Sequence, residues 1–318
     1  MLYDFHKNQY LARFAPRRAD TMLVINTFQK KRSSKNRFKS IQAWALALLV
    51  VMAGSAKAAD LQKVKERGVL RIAVANEIPY GYMDLNNRPQ GVGPDVAQHI
   101  AQQLGIKKIE WISASFSALI PGLRARRFDM VAAEMAILPQ RCGHVLFSQP
   151  NSSYGEGLLV AQGNPLDIHS FEHFADHNNL VAIVAGADQL EILQALGVPH
   201  ERMVTLSSNS DAISTVATGR AAAYAATSAT IVQLAQKDAR VEAAAEFADP
   251  VINGKPVRSW GAFTFHSDSK ELAQAVDEAL ARFKPTQAWR DIMARHGFTE
   301  TDATESFART RERLCAGR

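Results

Sequence analysis

The chain has 318 residues, 47% of them hydrophobic, which is enough to bury sizeable cores in more than one compact lobe. Its formal charge of +6 suggests a polyanionic partner, yet residues 1–58 hold 11 of the 37 basic residues and only 2 of the 31 acidic ones. The remainder is net acidic, 26 basic against 29 acidic residues, which removes the case for nucleic-acid binding.

Residues 1–58 have the three parts of an export signal: a basic run at 30–39, an apolar run at 43–53, and Ala56-Lys57-Ala58 as a small-x-small cleavage site. Cleavage is expected before Ala59, with export to the periplasm. The apolar run is too short for a membrane span. Met22 is an alternative start, because residues 1–21 add nothing that a signal requires. The two cysteines, Cys142 and Cys315, lie in the exported part, where oxidising conditions favour a disulfide between them.

After a polar helix at 61–67, the apolar run 69–75 reads as a strand that empties into Asn76-Glu77-Ile78-Pro79-Tyr80. Pro94 and Asp95 open a helix with Val96, Ile100 and Leu104 at helical spacing. A strand at 109–112 leads through Phe116 into a helix that starts near Ile120, since Pro121 is tolerated only in a first turn. The strand beginning at 129 completes β-α-β-α-β, and hence a parallel sheet.

That strand carries Glu134 and Ala136 and ends in Pro139-Gln140-Arg141-Cys142. A residue at the carboxyl end of a strand in an open α/β sheet faces the crevice where ligands bind. Arg141 is therefore read as the anchor for a ligand carboxylate, whose two oxygens match the guanidinium fork. Residues 154–162 read as a strand leaving this lobe. A second α/β series follows, with strands at 181–184, 203–206 and 223–226 and helices near 188–196, 210–218 and 228–236. Residues 249–265 look like a return crossing that ends in the strand 262–265, and 267–313 is helical. The expected lobes are 59–160 with 262–318, and 161–261, hinged about a cleft.

Nucleotide-binding and common hydrolase motifs do not occur in the sequence. His169, His173 and His177 are spaced by four but have no carboxylate or Cys shell, so they read as a solvated face, and neither metal nor cofactor is implied.

The order of Gly68-Val69-Leu70-Arg71, Gly93-Pro94-Asp95-Val96, Ile120-Pro121-Gly122-Leu123, Pro139-Gln140-Arg141-Cys142, Phe147-Ser148-Gln149-Pro150 and Gly219-Arg220 resembles the family 3 extracellular solute-binding proteins of ABC importers. Asn76-Glu77-Ile78-Pro79-Tyr80 and the tail 310–315 resemble its ectoine- and hydroxyectoine-binding members most. The resemblance implies a type II periplasmic-binding-protein-like α/β fold of two hinged lobes. It implies a monomer that holds a small zwitterionic solute, ectoine-like or a polar amino acid, and delivers it to a membrane permease. It places the solute carboxylate on Arg141, its cationic part against Tyr80 and Phe116, and Glu77 as the balancing acid. Glu134 and Asp188 are further candidate acids, and Asp188 is also expected to cap a helix.

The match departs at Ala136, where ectoine-binding members carry a third aromatic. It departs again at Gly186-Ala187-Asp188, where amino-acid receptors have Gly-Thr-Thr, and at Thr227, where they place an Asp. The ligand-binding set on this reading is Glu77, Tyr80, Phe116, Glu134, Ala136, Arg141, Gly186 and Asp188. The alternatives are a periplasmic dehydratase or lyase on the same fold, using Glu134 or Asp188 as general acid, or a sensor receptor without transport.

Overall fold

A computed structural model describes residues 60–317, so the expected signal segment and its cleavage site lie outside the described residues. Among the described residues no helix is long and apolar enough to cross a membrane.

The chain opens with helix α1 (Asp60–Arg67) and strand β1 (Val69–Val74), then a hairpin of β2 (Tyr82–Met83) and β3 (Pro89–Gln90). Helix α2 (Val92–Gln103) leads to β4 (Lys108–Ser113). A 3-10 turn at Phe116–Ala118 then runs into α3 (Leu119–Arg124), where Pro121 falls in the first turn as expected. β5 (Met130–Ala136) ends at the short helix α4 (Pro139–Cys142), which Pro139 begins. β1, β4 and β5 pair in parallel.

β6 (Val145–Phe147) and β7 (Ser152–Tyr154) follow, and then β8 (Glu156–Ala161). The second series is α5 (His173–Asp176), β9 (Val181–Val184), α6 (Gln189–Ala195), β10 (Met203–Leu206), α7 (Ser210–Ala217), β11 (Ala223–Thr227) and α8 (Ser228–Ala235). β12 (Val241–Ala243) precedes a hairpin of β13 (Val251–Ile252) and β14 (Lys255–Pro256). The long strand β15 (Ser259–His266) is followed by helices α9 (Lys270–Phe283), α10 (Gln287–Arg295), α11 (Glu300–Glu305) and α12 (Arg311–Cys315).

Each lobe repeats one plan. The first sheet runs β4-β1-β5-β15-β6 with β7 also on β15, and the second runs β10-β9-β11-β8-β12. In both, three parallel strands meet one antiparallel strand that arrives from the other half of the chain. The stretch read as a single strand over 154–162 is broken at Gly155: β7 belongs to the first sheet and β8 to the second. The return strand likewise starts at Ser259, earlier than expected, and joins the first sheet. Sheet membership therefore changes at Gly155 and near Arg258 and not after residues 160 and 261. Because Tyr154 pairs with Ser259, the two connections lie side by side.

Leu70, Ile72, Phe263, Phe265 and Trp289 are fully buried in the first lobe, and Phe171, Phe174 and Leu193 in the second. A third apolar cluster runs from Ala73 and Phe116 to Val184, Ala187 and Tyr224, so the two lobes touch. Cys142 and Cys315 form the expected disulfide, with Cα atoms 5.8 Å apart, tying the tail to the helix that carries Arg141.

Helix α2 crosses the first sheet closely through Gly93, where an added Cβ would lie 2.7 Å from the Ala132 carbonyl oxygen. Backbone cannot yield as a flexible side chain can. Gly93→Ala is expected to lower the unfolding free energy by roughly 1–3 kcal/mol despite alanine's better helix propensity, as read from urea denaturation.

Candidate functional site

The carboxyl ends of the parallel strands in both sheets face one another, and the segments that follow them bring the candidate residues together. Glu77 and Tyr80 follow β1, Phe116 follows β4, Arg141 follows β5, and Gly186 and Asp188 follow β9. Between them lies a small cavity of about 30 Å³, lined by Glu77, Tyr80, Phe116, Glu134 and Asp188 among others. A larger, open groove near Asp95, His99 and Phe283 lies on the outer face of the first lobe, remote from these strand ends.

Arg141 is only 6% exposed and lies at the junction of the lobes, near Phe116 of the cavity wall, but neither it nor Gly186 lines the cavity itself. Its Nη1 donates to the Ala136 carbonyl at 3.1 Å and its Nη2 crosses the cleft to the Gly186 carbonyl at 3.0 Å. The guanidinium lies 5.7 Å from the Phe116 ring centroid. Among the described residues no carboxylate forms an ion pair with it. A buried cation satisfied only by neutral carbonyls is a costly arrangement that an anionic group would relieve. Ala136 and Gly186 thus meet Arg141 through their carbonyls. Ala136 itself is buried in the first lobe's core and is not on the cavity wall.

Three further contacts hold the lobes together. The Tyr80 hydroxyl donates to Thr227 Oγ1 at 2.7 Å, Thr230 Oγ1 donates to the Ile78 carbonyl at 2.8 Å, and Ser259 Oγ donates to Asp188 Oδ2 at 2.8 Å. Gly186, at φ +81°, lies so close to Ser117 that a Cβ would meet its Cα at 3.3 Å. The expectation that Asp188 caps α6 is corrected. Its backbone is helical, φ −71° and ψ −13°, and it makes no side-chain cap bond. A capping side chain needs an extended backbone to fold back onto its own helix, so this carboxylate is free to reach β15.

The acids fall into two groups. Glu77 is half-buried and lines the cavity, and among the described residues no donor reaches its carboxyl. Burial first, and then the facing Asp188, push it up to about 8 against the pull of Arg141. Glu156 is buried beneath the cavity, one oxygen accepting from Gln189 Nε2 at 2.7 Å and the other without a partner among the described residues. Its burial, and then Asp188, raise it well above the carboxylate range. Glu134 differs. Its carboxyl turns away to accept from Asn151 Nδ2 at 2.8 Å and Ser152 Oγ at 2.5 Å. Burial raises it, opposed by those two bonds and by Lys284.

Lys284 is buried, donating to the Pro150 and Ser306 carbonyls at 2.8 and 3.0 Å, with Phe307 4.0 Å from its amine. Burial pushes it down to about 7, from 10.5, only partly offset by Glu134. A base whose folded pKa lies below its unfolded one binds fewer protons when folded, so its share of stability rises as the pH climbs from about 7 toward 10.5. The difference in unfolding free energy between the wild type and Lys284→Met, measured in urea from pH 7 to 10, is expected to show that upward slope, since the opposite contributions of buried Glu77 and Glu156 are common to both.

Residues outside the expected set also line the cavity: Tyr154, Gln189, Asn209, Tyr224, Thr227 and Thr230. Burial raises Tyr80, Tyr154 and Tyr224 well above the phenol range, so all three remain neutral donors. Asn209 follows the end of β10 just as Asp188 follows β9, and the strand-end rule would have found it. Tyr154 and Tyr224 lie within strands and left no comparable signal. Trp260, without an expected role, donates to the Glu305 carbonyl at 2.9 Å, away from the cavity.

Residues 70–299 match the family model of the bacterial extracellular solute-binding proteins, family 3. A relative from Sinorhizobium fredii, described as a "probable amino-acid ABC transporter periplasmic-binding protein", is 48% identical over 282 residues, which are 88% of this chain and 93% of the relative. The crystal structure of EhuB in complex with hydroxyectoine superposes with a TM-score of 0.73 at 29% identity, covering 81% of this chain and 98% of that one. An ancestral amino acid-binding protein, a precursor of cyclohexadienyl dehydratase, superposes with a TM-score of 0.65 at 25% identity, over 74% of this chain and 98% of its own. With the family pattern matched over most of its length, and with two similar lobes closed on a cavity, this chain belongs to the family 3 bacterial extracellular solute-binding proteins.

Proposed function

We propose that this protein is the periplasmic receptor of an ABC importer that captures a small zwitterionic solute between its lobes and delivers it to the membrane permease. The observation that carries the reading is Arg141: a buried guanidinium at the lobe junction, held only by main-chain carbonyls, beside a cavity walled by Phe116, Tyr80 and carboxyl groups. The solute carboxylate lies on Arg141 and its cationic end faces Tyr80, Phe116, Glu77 and Asp188. The relative from Sinorhizobium fredii and the EhuB complex support an amino acid or an ectoine-like compound.

The lobes, 60–154 with 259–317 and 156–257, rotate about the paired connections at Tyr154 and Ser259. Closure is favoured because only the closed form offers contacts from both lobes. The lyase reading loses one of its two candidate acids, because the Glu134 carboxyl is engaged by Asn151 and Ser152. Calorimetry with ectoine, hydroxyectoine and the polar amino acids tests the reading. Heat of saturable binding with a member of this set is expected, and its absence with all of them overturns the ligand class.

A further inference from the structure

The charges around the cavity do not balance, and the imbalance has a direction. Facing it are the carboxyls of Glu77 and Asp188, with Glu156 beneath them. Arg141 is the cation set against them. Glu134 is engaged elsewhere with Asn151, Ser152 and the field of Lys284, and the three tyrosines are neutral. Burial and Asp188 hold Glu156 protonated against the pull of the Gln189 donor, and counting Glu77 and Asp188 as ionised, two carboxylates face one guanidinium. A neutral zwitterion adds no net charge, so a proton must stay on Glu77 to quench the excess. A solute with one carboxylate and two cationic centres cancels it.

A second observation marks this cavity as built for a ligand. Asn209 is 2% exposed and lines the cavity, yet its Nδ2 has no acceptor among the described residues. A buried amide donor left unpaired costs about 1–3 kcal/mol, which an acceptor on a bound solute recovers. The occupant therefore offers a hydrogen-bond acceptor as well as cationic charge, as a carboxylated cation does.

We propose that the solute taken by this cleft carries net positive charge, with one cationic centre seated between Glu77 and Asp188 while its carboxylate lies on Arg141. This rests on the receptor reading above and narrows it. In the empty closed form a proton on Glu77 takes the place of the missing cation, so binding exchanges that proton for the solute. The groups that face Glu77 are Asp188, which favours its protonated form, Arg141, which opposes it, and the neutral phenol of Tyr224. Because Glu77 titrates near 8 when the cleft is empty, and lower beside a cation, affinity for such a solute rises with pH between 6 and 8. The rise approaches tenfold per pH unit for one proton released.

The test is a thermal-shift panel at pH 7.5 with L-arginine, L-lysine and L-ornithine, L-citrulline, L-glutamine, ectoine and hydroxyectoine, and L-glutamate and L-aspartate. Mass spectrometry of any solute released from the purified protein accompanies it. A net-positive solute is expected to stabilise most, with calorimetry in two buffers of different ionisation heat showing proton release. Glu77→Gln and Asp188→Asn are each expected to weaken that solute at least tenfold, and Glu77→Gln to abolish the proton release. A zwitterion or anion as the tightest binder, or a Glu77→Gln protein that binds the cationic solute as well as the wild type does, overturns the inference and leaves the receptor reading standing. No stabilisation by any member and no released solute overturns both.

Discussion

Arg141→Ala is expected to weaken binding of the preferred solute by about 2–5 kcal/mol, roughly 30- to 5,000-fold. Two effects add. The mutation strands the solute carboxylate in a nearly closed cavity without its charged donor. It also removes the link from Arg141 to the Gly186 carbonyl, one of the four side-chain hydrogen bonds described above that hold the cleft shut. Arg141→Lys restores the charge but not the planar fork, and should recover only part of the loss. Calorimetry with the solute that most stabilises the wild type measures both, after circular dichroism has shown that the variants fold. Wild-type affinity in Arg141→Ala would mean that this guanidinium is a structural cation and the carboxylate anchor lies elsewhere.

Opening the Cys142–Cys315 bridge has the second large effect, on stability and not on binding. The bridge joins positions 173 residues apart, and closing so long a loop in the unfolded chain corresponds to roughly 4–5 kcal/mol in the chain-entropy picture. In the folded state the tail has other anchors. Arg311 donates to the Phe147 carbonyl and to Asp277, each at 2.8 Å, and its backbone N–H donates to Gln149 Oε1 at 3.0 Å. The Cys142→Ser, Cys315→Ser protein is therefore expected to unfold at markedly lower urea concentration while its solute affinity stays within a factor of about three. A large loss of affinity would show that the bridge also positions Arg141 through the helix they share.

Much of this architecture was legible because it rests on local patterns. The strands β1, β4, β5, β9, β10 and β11 are short apolar runs bounded by polar turns, and their alternation with amphipathic helices already implies two parallel sheets. Arg141 was legible for the same reason, since a charged residue just past the end of a buried strand in such a sheet faces the crevice. The cysteine pair followed from there being only two. The break at Gly155 was not legible. The run through it is apolar on both sides, and only pairing with different partners sends β7 to one sheet and β8 to the other.

The sequence by itself determined the order of elements, the two-lobed plan and the residues that strand ends deliver to the cleft, because backbone propensity and hydrophobic period act over a few residues at a time. Only the tertiary structure decided which way each acid points. Glu134 lies in a strand with every residue buried, at φ +46°, opposite the register shift in β15, so its carboxyl turns to Asn151 and Ser152 where simple alternation gives no such answer. Asp188 leaves its helix for Ser259, and Asn209, Tyr154 and Tyr224 reach one cavity from three separate elements. Such orientations depend on contacts between segments far apart in the chain, and the closing of one lobe on the other brings those segments together.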